Sequence, residues 1–547
     1  MLLSRLETRG TQLKVLDLYA GVGGWAVGFE LAGFTLSESY EWWEPAADTH
    51  RNNSPSPVRV VDIRTLELSE LPKDIDIVIG SPPCTQFSYS NRGGAGDIAD
   101  GLVDIAKFLD VVRYVKPKFW VFENVPRVKK VLEAELQPDG QLQKYRDLFA
   151  DAQIEVFDMA NFGVPQRRKR CIAGNFNFEL LRSYSNVSER PTLGDVIYSL
   201  KEGQDPIYSN NSEIVILDNE PEVPLNWEEE RFNREMKVSH PVYNGMPFPD
   251  PLDRASRTVT ATCTRVSRES LVVFDEEMQK FRRLSVRERA SLQSFPISFQ
   301  FLGKSHSEKL KMIGNAIPPA FTYLIAEAIK GVSPNELVAP SQLAANMNET
   351  EKEIAATTPD NEGKTYPLNR RFRFSIPHLR FKSGTRFELA NVDGPRDWKV
   401  SFYFGDSKRI HRKDFRIEDV RNLANQIDEV GDELLPSIQK LIEKEIMAVD
   451  SDQLQGVWTH RSEGIHPFEW VDQIAQAAEI LNSKDELASL DEEQIIECVF
   501  TWLYGESKSR VGQQKIKKYA KDIFVGAIIS ASVNEMLSKA HFQALAS

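Results

Sequence analysis

The sequence predicts an α/β domain built on a mainly parallel sheet, followed by a smaller α+β extension. Short apolar runs alternate with amphipathic stretches over about the first third of the chain, which is the pattern of βαβ units. A polar, turn-rich stretch interrupts this pattern before it returns, and a linker-like segment then separates it from a C-terminal part with a different pattern. The length of 547 residues has room for about two to four domains.

The first domain is predicted from strands and helices that alternate along the chain. In chain order the segments are LKVLDLY, WAVGFELAGF, DIVIG, DIAKFLDVVRYV and KFWVFENV, of which the first, third and fifth are strand-like. Strands separated by helices in this way pair in parallel. We assign residues 1–177 to the first part of this domain. Residues 256–330 complete it, because strand and helix signals return there.

Four further segments are set apart by composition. Residues 178–255 are polar and irregular, which indicates an inserted, loop-rich region. Residues 331–368 have the composition of a solvated linker. Residues 369–416 alternate aromatic or aliphatic residues with basic ones, which favours a basic module of short antiparallel strands. Residues 417–547 show helical periodicity and are predicted to form a helical module.

Composition excludes several classes of protein. Hydrophobic residues make up 41% and charged residues 27% of the chain, close to the average for globular proteins and unlike disordered, collagenous or membrane proteins. No run of about 18 apolar residues is present and the start has no signal-peptide core, so we expect a cytoplasmic protein without membrane contact. The cysteines show no CxxC spacing, which favours neither a disulfide framework nor a metal site; they are Cys84, Cys171, Cys263 and Cys498.

Charge is distributed unevenly. The net charge of -13 argues against a protein that coats nucleic acid through its overall charge. Residues 370–416 nevertheless contain thirteen Lys and Arg against five Asp and Glu, interleaved with aromatic residues. Two interpretations stay open for this segment: a small β-module with an aromatic core and solvated arginines, or a basic face that lies along phosphates.

A glycine-rich loop follows the first strand. Gly21 and Gly23 lie in AGVGGWA, between the strand that ends near Asp17 and the first helix, where glycines allow a tight turn and the close approach of a ligand. Glu41 follows at about the spacing at which an acid hydrogen-bonds ribose hydroxyls. Its neighbour Trp42 could stack on an adenine, and Asp62 could accept a hydrogen bond from the adenine amino group. NAD and S-adenosylmethionine (SAM) both fit this pattern.

Cys84 is the candidate nucleophile. Most free cysteines fill apolar cores, but Cys84 follows Pro82 and Pro83 in a polar loop at the carboxyl end of the strand DIVIG, where α/β proteins build their sites. A second strand, FWVFE, ends in Glu123, which would bring a carboxylate to the same edge of the sheet; the alternative for Glu123 is a helix N-cap region. In the later segment QRRKR, alternation along a strand would point Arg168 and Arg170 to the same side.

The order of these motifs resembles that of the DNA (cytosine-5) methyltransferases. The motifs are DLYAGVGG, EW, DI, GSPPCTQFS, FENV, GVPQRRKR, RERASLQSFP and GNAIPP, and they span roughly residues 13–330. The resemblance implies a Rossmann-like, SAM-dependent methyltransferase domain with an inserted target-recognition region. NAD is then excluded, because no dehydrogenase needs the PPC and ENV motifs behind the loop. The implied SAM pocket comprises Asp17, Tyr19, Gly21, Gly23, Glu41, Trp42, Asp62 and Asn315.

The resemblance also implies the chemistry. Cys84 would add to C6 of cytosine and so enable C5 to attack the methyl group of SAM, without a metal. Glu123 would hydrogen-bond or protonate N3, while Arg168 and Arg170 would hold O2 and favour the Cys84 thiolate. The base must be flipped out of the duplex for this reaction. The chain departs from the family at Thr85, where glutamine is usual, and follows it loosely over residues 94–102.

The implied partner is double-stranded DNA. The family places its target-recognition region where residues 178–255 lie, and RFNREMKVSH is a candidate for reading bases there. We expect a monomer on DNA, in a bacterial cytoplasm and associated with the nucleoid, with a cognate restriction endonuclease or defence partner acting on the same sequence. Two alternatives stay open: an RNA cytosine-5 methyltransferase on the same fold, and a catalytically silent DNA-binding protein.

Overall fold

The chain divides into two compact units. In the computed structural model, the first unit comprises Met1–Arg234 with Pro247–Asp360, and the second comprises Glu235–Met246 with Asn361–Ser547. The structure describes residues 13–87, 96–209, 222–238, 245–345, 357, 365–382, 384–406, 409–425, 434–483, 491–505 and 512–546.

A mostly parallel sheet organises the first unit. Over the described residues it has seven strands in the order β3-β2-β1-β4-β5-β7-β6. The strands from β1 to β5 pair in parallel, whereas β7 runs antiparallel to both β5 and β6. The predicted α/β fold with a mainly parallel sheet is confirmed. The strands are β1 (Lys14–Leu18), β2 (Thr35–Glu41), β3 (Val58–Val60), β4 (Ile77–Gly80), β5 (Phe119–Asn124), β6 (Gln153–Asp158) and β7 (Lys169–Gly174).

Helices cover the two faces of this sheet. Val15 of β1 belongs to a buried cluster with Trp25 and Phe321, whereas its neighbour Leu16 belongs to a second cluster with Phe108. Successive strand residues point to opposite faces, so a strand buried on both faces reads as a continuous apolar run. The helices in the range of the first unit are α1 (Gly24–Leu31), α2 (Glu44–Asn53), α3 (Ile98–Val115), α4 (Arg127–Glu135), α5 (Phe178–Tyr184), α6 (Leu193–Lys201), α8 (Val286–Leu292), α9 (His306–Asn315) and α10 (Pro319–Lys330), and a hairpin comprises β8 (Val272–Asp275) and β9 (Lys280–Arg283). A further helix, α7 (Trp227–Val238), begins in the range of the first unit and ends in that of the second.

The inserted region contains two short helices. Composition predicts a loop-rich region over residues 178–255, and α5 and α6 lie inside this range. Leu181 of α5 and Val196 of α6 are both fully buried. Thr192 begins α6 with a capping box that includes Asp195, a signal that is legible in the sequence. The polar residues on the exposed sides of these short helices hide their periodicity.

The predicted linker is only partly solvated. The Tyr323 hydroxyl of α10 donates to the Val338 carbonyl over 2.9 Å, Leu343 packs against the first core cluster, and Ala345 is 1% exposed. The residues after α10 therefore cover apolar surface of the first unit as far as Ala345. Composition alone does not show this, because only a few apolar residues make the contacts.

The second unit is an antiparallel sheet with helices. Its strands, in the order β10-β11-β12-β13, are β10 (Arg373–Lys382), β11 (Thr385–Ala390), β12 (Lys399–Asp406) and β13 (Arg409–Lys413). The Ser530 hydroxyl donates to the Val400 carbonyl of β12 over 2.7 Å. A Cβ at Gly526 would lie 2.3 Å from the Phe387 ring, so glycine permits this close approach. The helices are α11 (Ile417–Ala424), α12 (Leu434–Glu445), α13 (Ser451–Trp458), α14 (Pro467–Asn482), α15 (Glu492–Tyr504), α16 (Gln513–Lys518) and α17 (Ala520–Ala546).

Candidate active site

The glycine loop joins β1 to α1 in a tight turn. Gly21 and Gly23 have φ values of +55° and +93°, which glycine adopts without steric cost. A Cβ at Gly24 would lie 2.2 Å from the Ile317 carbonyl oxygen. The loop therefore needs glycine both for its conformation and for its contact with the GNAIPP segment.

Glu41, at the end of β2, holds this loop. Its carboxylate accepts hydrogen bonds from the amides of Gly21 and Trp43, each over 2.8 Å. Burial raises the pKa of Glu41, and the two amides and Lys311 partly counteract this. Each carboxylate oxygen keeps a second lone pair, so Glu41 can also accept from a ligand. Beside it, the indole of Trp42 is 64% exposed.

The turn that carries Cys84 is held by its neighbours. The Trp25 indole donates to the Ser81 hydroxyl over 2.9 Å, and the Asn124 side-chain amide donates to the Pro82 carbonyl over 2.9 Å. The amide of Phe87 donates to the Cys84 carbonyl over 3.0 Å. Contacts from α1 and β5 thus fix the direction of the turn after β4.

An ion pair lies beside the cysteine. Arg170 Nε is 2.7 Å from Glu123 Oε1, and both side chains are largely buried. Burial raises the pKa of Cys84, Glu123 raises it further, and Arg170 and Arg168 act in the opposite direction. The thiol therefore responds to both members of the ion pair.

Arg168 makes different contacts from those of Arg170, although strand alternation predicts that both point to the same side. The strand β7 begins only at Lys169, so Arg168 lies outside the alternation. Its two Nη atoms donate to the carbonyls of Val259, Gly314 and Ala316 over 2.9–3.2 Å. Burial lowers the pKa of Arg168 to about 9, with a further contribution from Arg170. Arg168 thus ties its own segment to two others, and its charge acts to lower the pKa of Cys84.

A cleft of about 310 Å³ brings most of the predicted residues together. This volume falls within the range of small-molecule sites, about 300–1,000 Å³. The predicted residues along its wall are Tyr19, Gly21, Glu41, Trp42, Cys84, Glu123 and Asn315.

Five predicted residues are not among those that line the cleft. Arg168 and Arg170 are described above, and a Cβ at Gly23 would meet the His50 ring. Asp17 is fully buried with neither carboxylate oxygen hydrogen-bonded; burial, with a contribution from Glu41, raises its pKa well above the usual value. Asp62 is exposed and accepts from the Arg64 amide over 2.9 Å. Direct contact with a cofactor in this cleft is therefore unsupported for Asp17 and Gly23.

Sequence reasoning missed Lys311 and Trp43. Both line the cleft, and the Lys311 ammonium lies 4.2 Å from the centre of the Trp43 ring, a cation–π contact. Lys311 precedes Asn315 by one helical turn in α9, and the i, i+4 spacing could have indicated that they share a face.

Part of the candidate base-reading segment, residues 231–240, makes contacts within the protein. Asn233 and Lys237 of α7 are fully buried. The Asn233 side-chain amide donates to the carbonyls of Glu229 and Arg265, while Arg234 is exposed and paired with Glu230. The His240 of this segment lies outside the described residues. Asn233 and Lys237 therefore have no access to bases in this conformation.

The basic segment of the second unit contains many internal ion pairs. Arg412 contacts Asp393 at 2.8 Å and Asp414 at 3.0 Å, and Lys399 contacts Asp393 at 2.8 Å. The aromatic residues form a core: the buried ones are Phe372, Phe374, Phe387, Trp398, Phe402, Tyr403, Phe404 and Phe415.

Within the described part of the chain, no group of three or more His, Cys, Asp and Glu side chains is arranged to hold a metal ion. None of the described helices is long and apolar enough to cross a membrane.

The first unit is similar to known methyltransferases. Residues 13–331 match the family model described as C-5 cytosine-specific DNA methylase. The chain is 32% identical to the Type II methyltransferase M1.HphI of Haemophilus parahaemolyticus, over 59% of this chain and 88% of that protein. It is 29% identical to M.HindV of Haemophilus influenzae, over 58% and 96%, and 31% identical to M.AplI of Arthrospira platensis, over 60% and 89%. The family match ends at residue 331, before the C-terminal segment of the second unit begins.

Proposed function

Since the chain belongs to the C-5 cytosine-specific DNA methylase family and is a DNA cytosine-5 methyltransferase, we propose that it uses SAM as its methyl donor. We further propose that it acts through a covalent bond between Cys84 and C6 of a flipped cytosine. The observation that carries this proposal is the cleft that Cys84 and Glu123 share with Tyr19, Glu41 and Asn315. A nucleophile and a proton donor thus lie next to a nucleoside-type site.

The residues of the cleft fit SAM by their chemistry. The backbone at Gly21 is open towards the cleft, since a Cβ there would meet nothing within 4 Å. We assign Glu41 to the ribose hydroxyls, the exposed ring of Trp42 to the adenine face, and Asn315 to the amino-acid end. Asp62 is exposed and keeps one oxygen for the adenine amino group. Bound there, SAM supplies an electrophilic methyl group.

The protein side of the reaction begins at Cys84. Its thiolate forms a bond to C6, and the electrons of the C5–C6 double bond move into the ring, where Glu123 donates a proton to N3. Arg170 holds O2 and stabilises the negative charge that develops there. C5 is then nucleophilic enough to accept the methyl group. As C5 accepts the methyl group, N3 returns its proton to Glu123. The C5 proton then passes to solvent, its bonding electrons re-form the C5–C6 double bond, and Cys84 leaves as the thiolate, which restores the aromatic ring.

Arg168 takes a different part from the one expected from the sequence. Its hydrogen bonds to carbonyls around residues 259 and 314–316 keep the wall of the cleft in place. Its charge favours the Cys84 thiolate from a distance. We therefore propose that it positions the site without touching the base.

The substrate that we propose is double-stranded DNA, in a bacterial restriction-modification system. The support is that the similar proteins are named Type II methyltransferases. A cognate endonuclease that acts on the same sequence, and action as a monomer, belong to this proposal. Mapping of 5-methylcytosine in DNA treated with the chain tests it: we expect methylation at a fixed position in one short sequence, and methylation without sequence preference would contradict it.

Transfer of a labelled methyl group from SAM is the decisive test of the reaction. We expect label in duplex DNA and none in tRNA. Duplex DNA with 5-fluorocytosine at the target should form a covalent adduct with Cys84, because fluorine cannot leave as a proton does. Label in tRNA alone would identify an RNA methyltransferase. Binding of DNA without any transfer would identify a silent DNA-binding protein.

A further inference from the structure

A strained residue lies at the wall of the cofactor cleft. Tyr19 has a φ of +55° although it is not glycine, and it lines the cleft. A non-glycine residue keeps such a conformation only when its surroundings enforce it. Its hydroxyl donates to the Asp104 carbonyl over 3.1 Å and lies 3.4 Å from the Asp104 carboxylate. The strained wall of the cleft is thus tied to α3.

Arg64 extends this contact towards the nucleophile. Its Nε and Nη2 donate to the two carboxylate oxygens of Asp104 over 2.9 and 2.7 Å. Asp104 is only 4% exposed, whereas the Arg64 side chain is 37% exposed, so the carboxylate side of this forked pair is buried and the guanidinium reaches it from the surface. The Arg64 Nη1 donates to the Asp100 carboxylate over 2.9 Å. One guanidinium therefore holds two successive turns of α3.

The path ends beside Cys84. The second Asp100 oxygen accepts from the Gln86 side chain over 3.0 Å, and Gln86 lies two residues after Cys84 in the same turn. Hydrogen bonds thus run without interruption from the Tyr19 hydroxyl through Asp104, Arg64 and Asp100 to Gln86. Neither Arg64 nor Gln86 is among the residues that line the cleft.

We infer that Arg64 is a positioning residue that couples the cofactor wall at Tyr19 to the nucleophile turn at Gln86. The Arg64 guanidinium binds the Asp104 and Asp100 carboxylates at once, so it fixes the position of the cofactor wall at Tyr19 relative to the nucleophile turn. A displacement of one would then displace the other. A lysine could hold either carboxylate but not span both. The inference rests on the proposed SAM-dependent reaction and concerns how its two halves are kept together.

A double-mutant cycle tests this coupling. Tyr19→Phe removes one hydroxyl and Gln86→Leu removes the amide, and among the described residues these two side chains share no direct hydrogen bond. The free-energy changes of two independent substitutions add, so their fold-losses multiply; those of two coupled substitutions do not. We expect the loss of kcat in the double variant to differ by at least about threefold from the product of the single losses. The dissociation constant of S-adenosylhomocysteine, measured by calorimetry, should show the same non-additivity without any turnover.

The same cycle is repeated in two variants of Arg64. In the Arg64→Met background the effects of Tyr19→Phe and Gln86→Leu should become independent, and in the Arg64→Lys background only part of their non-additivity should remain. The matched control is Arg59→Met, because Arg59 is similarly exposed and pairs with Glu70 away from the path. In that background the non-additivity should persist. Persistence in Arg64→Met would overturn the role of Arg64.

The double-mutant cycle in the wild-type background tests the coupling of Tyr19 to Gln86 even if Arg64→Met does not fold. Single effects that multiply in both kcat and the dissociation constant would reject the inference while methyl transfer by the wild-type protein stands. Absence of transfer in the wild-type protein would reject the proposed function instead.

Discussion

The two compact units use their charged side chains in different ways. In the first unit, Glu123 and Arg170 form an ion pair at 2.7 Å beside Cys84 and next to a cleft. In the second unit, Arg412 and Lys399 share Asp393 on the surface of a sheet whose aromatic residues are buried. Both arrangements pair opposite charges within their unit, but in the first unit Glu123 also lines a cleft that a substrate can enter.

This difference shows what a count of charges does not reveal. Residues 370–416 contain thirteen basic and five acidic side chains, which draws attention to the second unit. The reactive groups lie in the first unit, where few charges are needed because burial strengthens each of them.

Cys84→Ser should lower methyl transfer by about 10⁴-fold or more, because a hydroxyl is too weakly acidic to add to C6. Binding of SAM and DNA should stay close to wild type. Cys263→Ser is the matched control. Burial raises the pKa of Cys263, but Arg289 and Arg283 outweigh it and hold that pKa below its usual value. Cys263 lies outside the cleft, so we expect its serine variant to turn over and to lose only stability. Substantial turnover by Cys84→Ser would contradict the covalent mechanism.

Glu123→Gln should lower the rate of methyl transfer by about 10²-fold or more, since the amide cannot give a proton to N3. The affinity for SAM, measured by calorimetry, should change little because Glu123 acts on the base. Glu133→Gln, which alters a carboxylate half-exposed on α4, serves as the control and should be fully active. A large loss of SAM affinity with normal turnover would show that Glu123 belongs to the cofactor side of the cleft.

Glu41→Ala should weaken SAM binding by about 1–3 kcal/mol, roughly 5- to 150-fold. Two losses contribute: the hydrogen bonds to ribose, and the support of the Gly21 and Trp43 amides. At saturating SAM, turnover should recover most of the wild-type rate. If the rate stayed low at saturation, Glu41 would act in the chemical step and our division of the cleft would be wrong.

The reactivity of Cys84 towards iodoacetamide should rise with pH and should keep rising at pH values at which an ordinary cysteine, with a pKa of about 8.5, has levelled off, because the thiolate is the reactive form. Burial and then Glu123 raise the pKa of Cys84, so near neutral pH its thiolate fraction lies below that of an ordinary cysteine. Glu123→Gln removes one cause of the raised pKa and leaves Arg170 without its partner. We therefore expect its Cys84 peptide to be alkylated several-fold faster near neutral pH, although methyl transfer is slower. An unchanged profile would show that the charge of Glu123 does not reach the thiol.

Much of the first unit could be predicted from local patterns. Apolar runs indicated the positions of β1, β4 and β5, and the parallel pairing followed from the helices between them. Cys84 and Glu123 were expected at one edge of the sheet because their strands end there, and both line the cleft. These are features that depend on neighbours in the sequence or on the general geometry of a parallel sheet.

The features that escaped prediction depend on distant partners. The Nη atoms of Arg168 bond to carbonyls about 90 and 150 residues away in the chain, which no local periodicity reports. The path through Arg64 joins segments that follow β1, β3 and β4. Ion pairing in the second unit likewise depends on which strands are neighbours, so the basic segment seemed more available for phosphates than its contacts allow.

The smallest expected effect concerns DNA affinity through the second unit. Arg371, Arg380 and Arg416 are exposed, whereas Arg412 is paired with Asp414 at 3.0 Å. If the exposed arginines lie along phosphates, their combined replacement by glutamine should make the dependence of log K on log salt less steep. The magnitude of the slope should fall by about 0.9 for each phosphate that the variant no longer neutralises. The charge-neutral control, Arg412→Gln with Asp414→Asn, should leave that slope unchanged because the pair already cancels. Binding measured over a range of salt concentrations on DNA that contains the methylated sequence distinguishes the two. An unchanged slope in the triple variant would reject phosphate binding and leave residues 370–416 as a β-module whose arginines serve solvation and internal pairing.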